Sequence, residues 1–370
     1  MLRLKTELSF IRCSWSKINN GMNPPKSKFF IETDMFSELS TKMSDVPEIK
    51  KHIKYNKAEV YTDISQDELI DIMCDSSEPT DAEGKRRAFI REFYAIMQTE
   101  SGPKPAKEFY AKAEEDPSYY HKKEPNSIFF TTKSKKEREQ IMNGYGVWMI
   151  GSEDLNDTLL DPYNDDYKPG KVFGEEEDGW ASIKKRIGVF PSSCMVVLDN
   201  FITAIDQNTN EYYGLDNLRS IIYSFVPLQQ KIEQYSVLIV TQQPYVSQGF
   251  REMLLKWIKD IKADFPKIKI QFIVSKNTPE HDRWIFFNYG NFESGKGFKI
   301  FEPQSNKVYF EGNKPYHFSA SKYISQCSLT GTSPLERAHN IIHYVQKLYK
   351  RRGSDTHIIG DENLDISILR

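Results

Sequence analysis

The sequence predicts an α/β fold, a mixed sheet flanked by helices, preceded by an α-rich N-terminal region. Three short apolar runs, CMVVLDNFITA, YSVLIVTQQ and IKIQFIVSK, have the length and composition of buried strands and are separated by helical segments. The second separator, FREMLLKWIKDIKADFP, sets Met253, Leu254, Trp257, Ile258 and Ile261 on one helix face and stops at Pro266. Upstream, YTDISQDELIDIMC and RRAFIREFYAIM repeat the helical spacing.

Composition bounds the possibilities. A chain of 370 residues, 39% hydrophobic and 13% aromatic, can bury a substantial core and suggests two domains with a small third element. Its 50 Lys and Arg nearly balance 52 Asp and Glu, so any surface for a polyanion must be local. Cys13, Cys74, Cys194 and Cys327 lie far apart without a CxxC pair, which argues against a disulfide scaffold or a structural zinc and fits a reduced, cytoplasmic protein. No apolar run approaches the roughly 20 residues that span a bilayer. The basic N-terminus lacks the apolar stretch of a secretory signal, and Met22, opening MNPPKSKFFIETDMFSEL, is an alternative start to Met1.

In chain order, residues 1–125 read as the α-rich region, closed by the Pro-containing segment EEDPSYYHKKEPN. Residues 126–189 read as an acidic connector. Within it DLNDTLLDPYNDDYKPGKVFGEEEDGW has no helical period and no EF-hand spacing, so a solvated loop is preferred to a cation site. Residues 190–325 form the α/β domain. Right-handed crossovers would make its three strands parallel neighbours, with ligands expected at their carboxyl edge. Residues 326–370 read as a helix and a polar tail.

The third strand run ends at Lys276, and after a turn the chain delivers HDRWIFFN and then ESGKGF. Strand alternation puts His281 and Arg283 on one face and Asp282 on the other, a pairing suited to phosphate. This arrangement resembles half of a phospholipase D-like fold. The family motif of His, Lys two residues later and Asp five further on falls here on His281, Arg283 and Asn288, with Ser294, Gly295, Lys296 and Gly297 at its small-residue turn. The His-Asp-Arg form is most similar to the phospholipase D-like domain of MIT-domain proteins, thought to bind lipid, although this chain shows no MIT helical hairpin.

The resemblance implies that His281 attacks a phosphodiester, that Arg283 stabilises the phosphoryl oxygens and that Asn288 stands where the family carboxylate orients the histidine. Ser294, Lys296 and Asp199 are the further phosphate-site candidates, and no cofactor is expected. Arg and Asn in place of Lys and Asp favour recognition of a phosphate-bearing ligand, a nucleic acid or a lipid headgroup, over cleavage. The alternative is a homodimeric phosphodiesterase or nuclease, because one motif supplies only half of a two-histidine site. For His281 a strand-end histidine in a polar turn stays open, and for Asp199 an Asx turn does. SGKG lacks the hydroxyl residue of a P-loop and leads into a strand. Glu336, His339 and His343 share a helix face but lack further ligands, and the trailing Lys347, Lys350, Arg351 and Arg352 form a small basic patch.

Overall fold

The computed structural model describes residues 28–35, 38, 59–97, 103–155, 171–173, 178–188, 191–205, 211–228, 230–276, 283–302, 305–311, 314–322, 345 and 355–366. A first sheet is all parallel, in the order β3-β2-β1-β4-β5, with β1 (Lys28–Ile31), β2 (Glu59–Thr62), β3 (Lys104–Pro105), β4 (Ile128–Phe130) and β5 (Trp148–Ile150). The crossovers carry α1 (Gln66–Cys74), α2 (Ala82–Met97), α3 (Lys107–Glu115), α4 (Ser118–Lys123) and α5 (Lys135–Tyr145).

Local chemistry starts several of these helices. Ser65 Oγ accepts from the Glu68 backbone N–H at 3.2 Å, and Glu68 Oε2 accepts from the Ser65 N–H at 2.7 Å, a reciprocal cap that opens α1. Ser134 and Glu137 repeat it at α5, which ends at Gly146 in the left-handed region, φ 67°.

The expectation of an α-rich N-terminal region is corrected here: this part of the chain is α/β. KFFI, EVYT, IFF and WMI are only three or four residues long, too short to show a period. The last two are buried at every position, so no polar residue interrupts them. Ile128–Phe130 and Trp148–Ile150, in the stretch read as a connector, belong to this sheet.

The second sheet is mixed and has eight strands in the order β15-β9-β8-β7-β10-β11-β14-β6. Its strands are β6 (Lys171–Phe173), β7 (Cys194–Leu198), β8 (Tyr235–Gln242), β9 (Ile268–Ser275), β10 (Arg283–Phe287), β11 (Gly290–Ser294), β14 (Phe318–Lys322) and β15 (Thr356–Gly360). A small ribbon pairs β12 (Phe310–Glu311) with β13 (Lys314–Pro315). As the sequence predicts, β7, β8 and β9 are parallel neighbours. The polar tail supplies β15, an antiparallel edge strand on β9. Of the helix expected before it, only Val345 lies among the described residues, and it is fully buried.

Helices α6 (Gly179–Ile187), α7 (Tyr213–Phe225) and α8 (Gln248–Asp264) pack on one face of this sheet. There α8 buries Phe250, Leu254, Trp257, Ile258 and Ile261, on the order of 1.5–3 kcal/mol for each large side chain. Alternation along β7 and β10 sends Met195, Val197, Ile285 and Phe287 into that core, and Cys194, Val196, Leu198, Trp284 and Phe286 into a smaller one behind it. No helix among the described residues is long and apolar enough to cross a membrane.

The two sheets meet at the β10–β11 turn, Asn288-Tyr289. Tyr289 is 2% exposed, and its ring belongs to the core of the first sheet, edge-on to Trp148 at 5.4 Å. Its hydroxyl accepts from the Trp148 N–H at 3.1 Å and lies 2.9 Å from Ser127 O and 3.0 Å from Pro125 O. Asn288 Oδ1 accepts from the Ser193 N–H at 2.8 Å, while Nδ2 donates to Asn126 Oδ1 at 2.9 Å. Tyr289→Phe leaves a buried N–H and two carbonyls without that hydroxyl. Its expected cost is about 1–3 kcal/mol of stability, read as a lower urea midpoint; an unchanged midpoint would show that ring packing alone holds the sheets.

Candidate functional site

The antiparallel pairing of β10 with β7 and β11 brings three sequence candidates to the carboxyl edge of the parallel strands. Asp199 follows directly on β7, Arg283 opens β10, and Ser294 ends β11 in register with Arg283. All three have the parity of Val197 and Ile285, so they point to the same face of the sheet.

Asp199 is 2% exposed. Its Oδ1 accepts from the Phe201 N–H at 2.9 Å, the Asx turn that was one of its two expected readings, and Oδ2 accepts from the Phe298 N–H at 2.9 Å. Burial raises its carboxyl above the ordinary value, against the lowering effect of these two bonds and of the Arg283 charge. Gly297, at φ 98°, brings its backbone so close that a Cβ would lie 2.9 Å from Asp199 Oδ2. The carboxylate therefore holds the 294–298 turn through the Phe298 N–H.

Ser294 is also internal. Its Oγ is 2.7 Å from Gly297 O and 3.1 Å from His317 O, and it accepts from the Lys296 N–H at 3.3 Å. Asn288, expected beside His281, stands at the other end of β10, about 16 Å along the strand from Arg283 at about 3.3 Å per residue. Its amide is taken up by the contact between the sheets. The side chains of Asp199, Ser294 and Asn288 are thus all engaged in hydrogen bonds within the protein. His281 and Asp282 lie outside the described residues, as do Glu336, His339, His343 and the basic run after them.

Two cations remain on the outer side of the turn. Arg283 is half-buried, its Nη1 donates to Gly295 O, and its guanidinium lies 5.1 Å from the centre of the Phe201 ring. Its Nε is buried with no hydrogen-bond partner, and no carboxylate pairs with it at ion-pair distance among the described residues. Lys296 Nζ sits 5.1 Å over Tyr316. Gly295 between them is exposed, and a Cβ there would meet nothing within 4 Å.

Sequence reasoning missed a second edge. In the first sheet the strand order reverses between β1 and β4, and Glu32 and Asp63 lie at the carboxyl ends of β1 and β2. Glu32 accepts from Thr131 Oγ1 at 2.7 Å and the Thr132 N–H at 2.8 Å, Asp63 accepts from the Thr33 N–H at 2.7 Å, and burial raises the Glu32 carboxyl. The signal was present in FFIETD and IFFTT, polar residues directly after apolar triplets. No group of three metal-ligating side chains occurs among the described residues. A cleft of about 840 Å³ lined by Asp116, Lys122, Lys231 and Glu233 lies at the amino end of β8, remote from Arg283.

Comparison with models of known protein families and with curated proteins finds no match to this chain.

Two substitutions test these assignments. Asn288→Asp installs the phospholipase D family residue but cannot donate to Asn126 Oδ1, so it is expected to cost about 1–3 kcal/mol in chemical denaturation; unchanged stability would remove Asn288 from the contact. For Asp199, the folded protein keeps the proton to higher pH than the unfolded chain. The wild-type advantage over Asp199→Asn is therefore expected to shrink as pH rises above about 4. An advantage that grows over that range in paired denaturation curves would contradict the raised carboxyl.

Proposed function

We propose that this edge recognises a phosphate-bearing ligand through Arg283, assisted by Lys296, without cleaving it. The observation that carries the reading is the state of Arg283: a half-buried guanidinium at the carboxyl edge of parallel strands, with no carboxylate paired to it among the described residues and a buried Nε that has no acceptor. A planar fork held this way can grip two oxygens of a phosphate.

Recognition is favoured over turnover because an amide, Asn288, occupies the position of the family carboxylate. Asn288 is at the far end of the strand, and both Asp199 oxygens accept backbone hydrogen bonds. A histidine nucleophile without an orienting carboxylate loses both its tautomer control and its charge stabilisation. The phospholipase D-like resemblance is consistent with an edge adapted to holding phosphate.

Calorimetric titration with inorganic pyrophosphate tests the reading. Arg283→Ala is expected to weaken binding at least tenfold, the loss of a charge-assisted hydrogen bond of about 1.5–3 kcal/mol, while Arg283→Lys retains part of it. Equal affinity of wild type and Arg283→Ala would remove Arg283 from the site. Hydrolysis of bis(p-nitrophenyl) phosphate by a dimer, lost in His281→Ala, would instead establish the two-histidine phosphodiesterase.

A further inference from the structure

Arg283 and Lys296 are the beginning of a continuous row in which cations alternate with aromatic rings. Phe201 lies against the Arg283 guanidinium at 5.1 Å, and Gly295, which accepts from Arg283 Nη1, leads to Lys296. Lys296 Nζ is 5.1 Å from the Tyr316 ring, Tyr316 meets Tyr309 edge-on at 5.2 Å, and Lys299 Nζ lies 4.0 Å over Tyr309 and 4.7 Å over Tyr213. The Gly295 backbone joins Arg283 to Lys296, and ring contacts carry the row on to Tyr213 at the start of α7.

We infer that this row binds a single strand of nucleic acid, with phosphates along Arg283, Lys296 and Lys299 and bases against the aromatic rings. The inference rests on the phosphate reading of Arg283 and names its ligand class. Two features favour a single strand. The row carries three cations, Arg283, Lys296 and Lys299. Rings stand between them, and base stacking on aromatic side chains is the sequence-tolerant half of single-strand recognition. A duplex would present the same phosphates but keep its base faces covered.

Phe201 is the exposed end of the row. It is 57% exposed although its ring contacts Arg283, so ring surface is left for a base. The balanced net charge of -2 means attraction must come from the row itself.

The test is fluorescence anisotropy with a labelled oligothymidylate and an oligouridylate of twelve nucleotides, alongside pyrophosphate titration and flotation with phosphatidylserine vesicles. Wild type is expected to bind the oligonucleotides with log K falling against log salt at a slope of about -2, three contacts at about 0.7 each for a single strand. Phe201→Ala is expected to weaken this about tenfold or more, and Phe201→Trp to preserve it. Because Phe201 is exposed, the variant should fold as wild type, which circular dichroism verifies.

Oligonucleotide affinity indifferent to Phe201 would overturn the stacking row. Binding of pyrophosphate or vesicles without oligonucleotide would overturn the nucleic-acid inference and leave the phosphate reading standing. Failure to bind any of the three would end both.

Discussion

The Asn288-Tyr289 turn is the constraint on which the rest of the molecule depends. It closes the hairpin of the second sheet and completes the core of the first, with the phenol ring on Trp148 and the Asn288 amide bridging Ser193 and Asn126. Leaving any of these buried groups unpaired would cost more than its bond contributes, so the turn has essentially one allowed position. β10 has five residues, and pinning one end sets the register of the whole strand. A slip of one residue would exchange Arg283 with Trp284 and turn the cation to the other face of the sheet. The contact between the sheets thus determines, from the far end of a strand, where Arg283 stands.

At that other end the same economy of buried polar groups shapes the edge. Asp199 is kept inside by two backbone N–H donors and the nearby Arg283 charge, and Gly297 permits the approach that lets Phe298 donate to it. Ser294 ties the same turn from beneath. With these polar groups directed inward, the outer side of the turn is left to Arg283 and Lys296. The carboxylate at this edge is spent on the backbone.

The phospholipase D-like motif and the geometry group these residues differently. The motif drew His281, Arg283 and Asn288 into one group by spacing, yet on an extended strand a separation of five residues is a distance of many ångströms. Ser294 and Asp199 were singled out for being polar at a turn and at a strand end, and both positions are where buried hydrogen bonds are needed. A polar residue there has the same sequence signature whether it faces a ligand or a backbone N–H.

Local pattern was sufficient for β7, β8, β9 and α8, because long apolar runs and a four-turn amphipathic face have few alternatives once turns separate them. It was sufficient too for the helical spacing of α1 and for putting Arg283 at the edge of a sheet. The first sheet stayed invisible: KFFI, IFF and WMI have no period, and only partners brought from up to a hundred residues away make them strands. Asn288 as a bridge and the row from Phe201 to Tyr213 were equally beyond local reading. Both are made by residues remote in the chain, 288 with 126, 201 with 283 and 213 with 299, and the sequence contains no local energy that distinguishes such a contact from solvent exposure. Side-chain identity set what each residue could donate, accept or stack upon; which partner it met was decided by long-range packing.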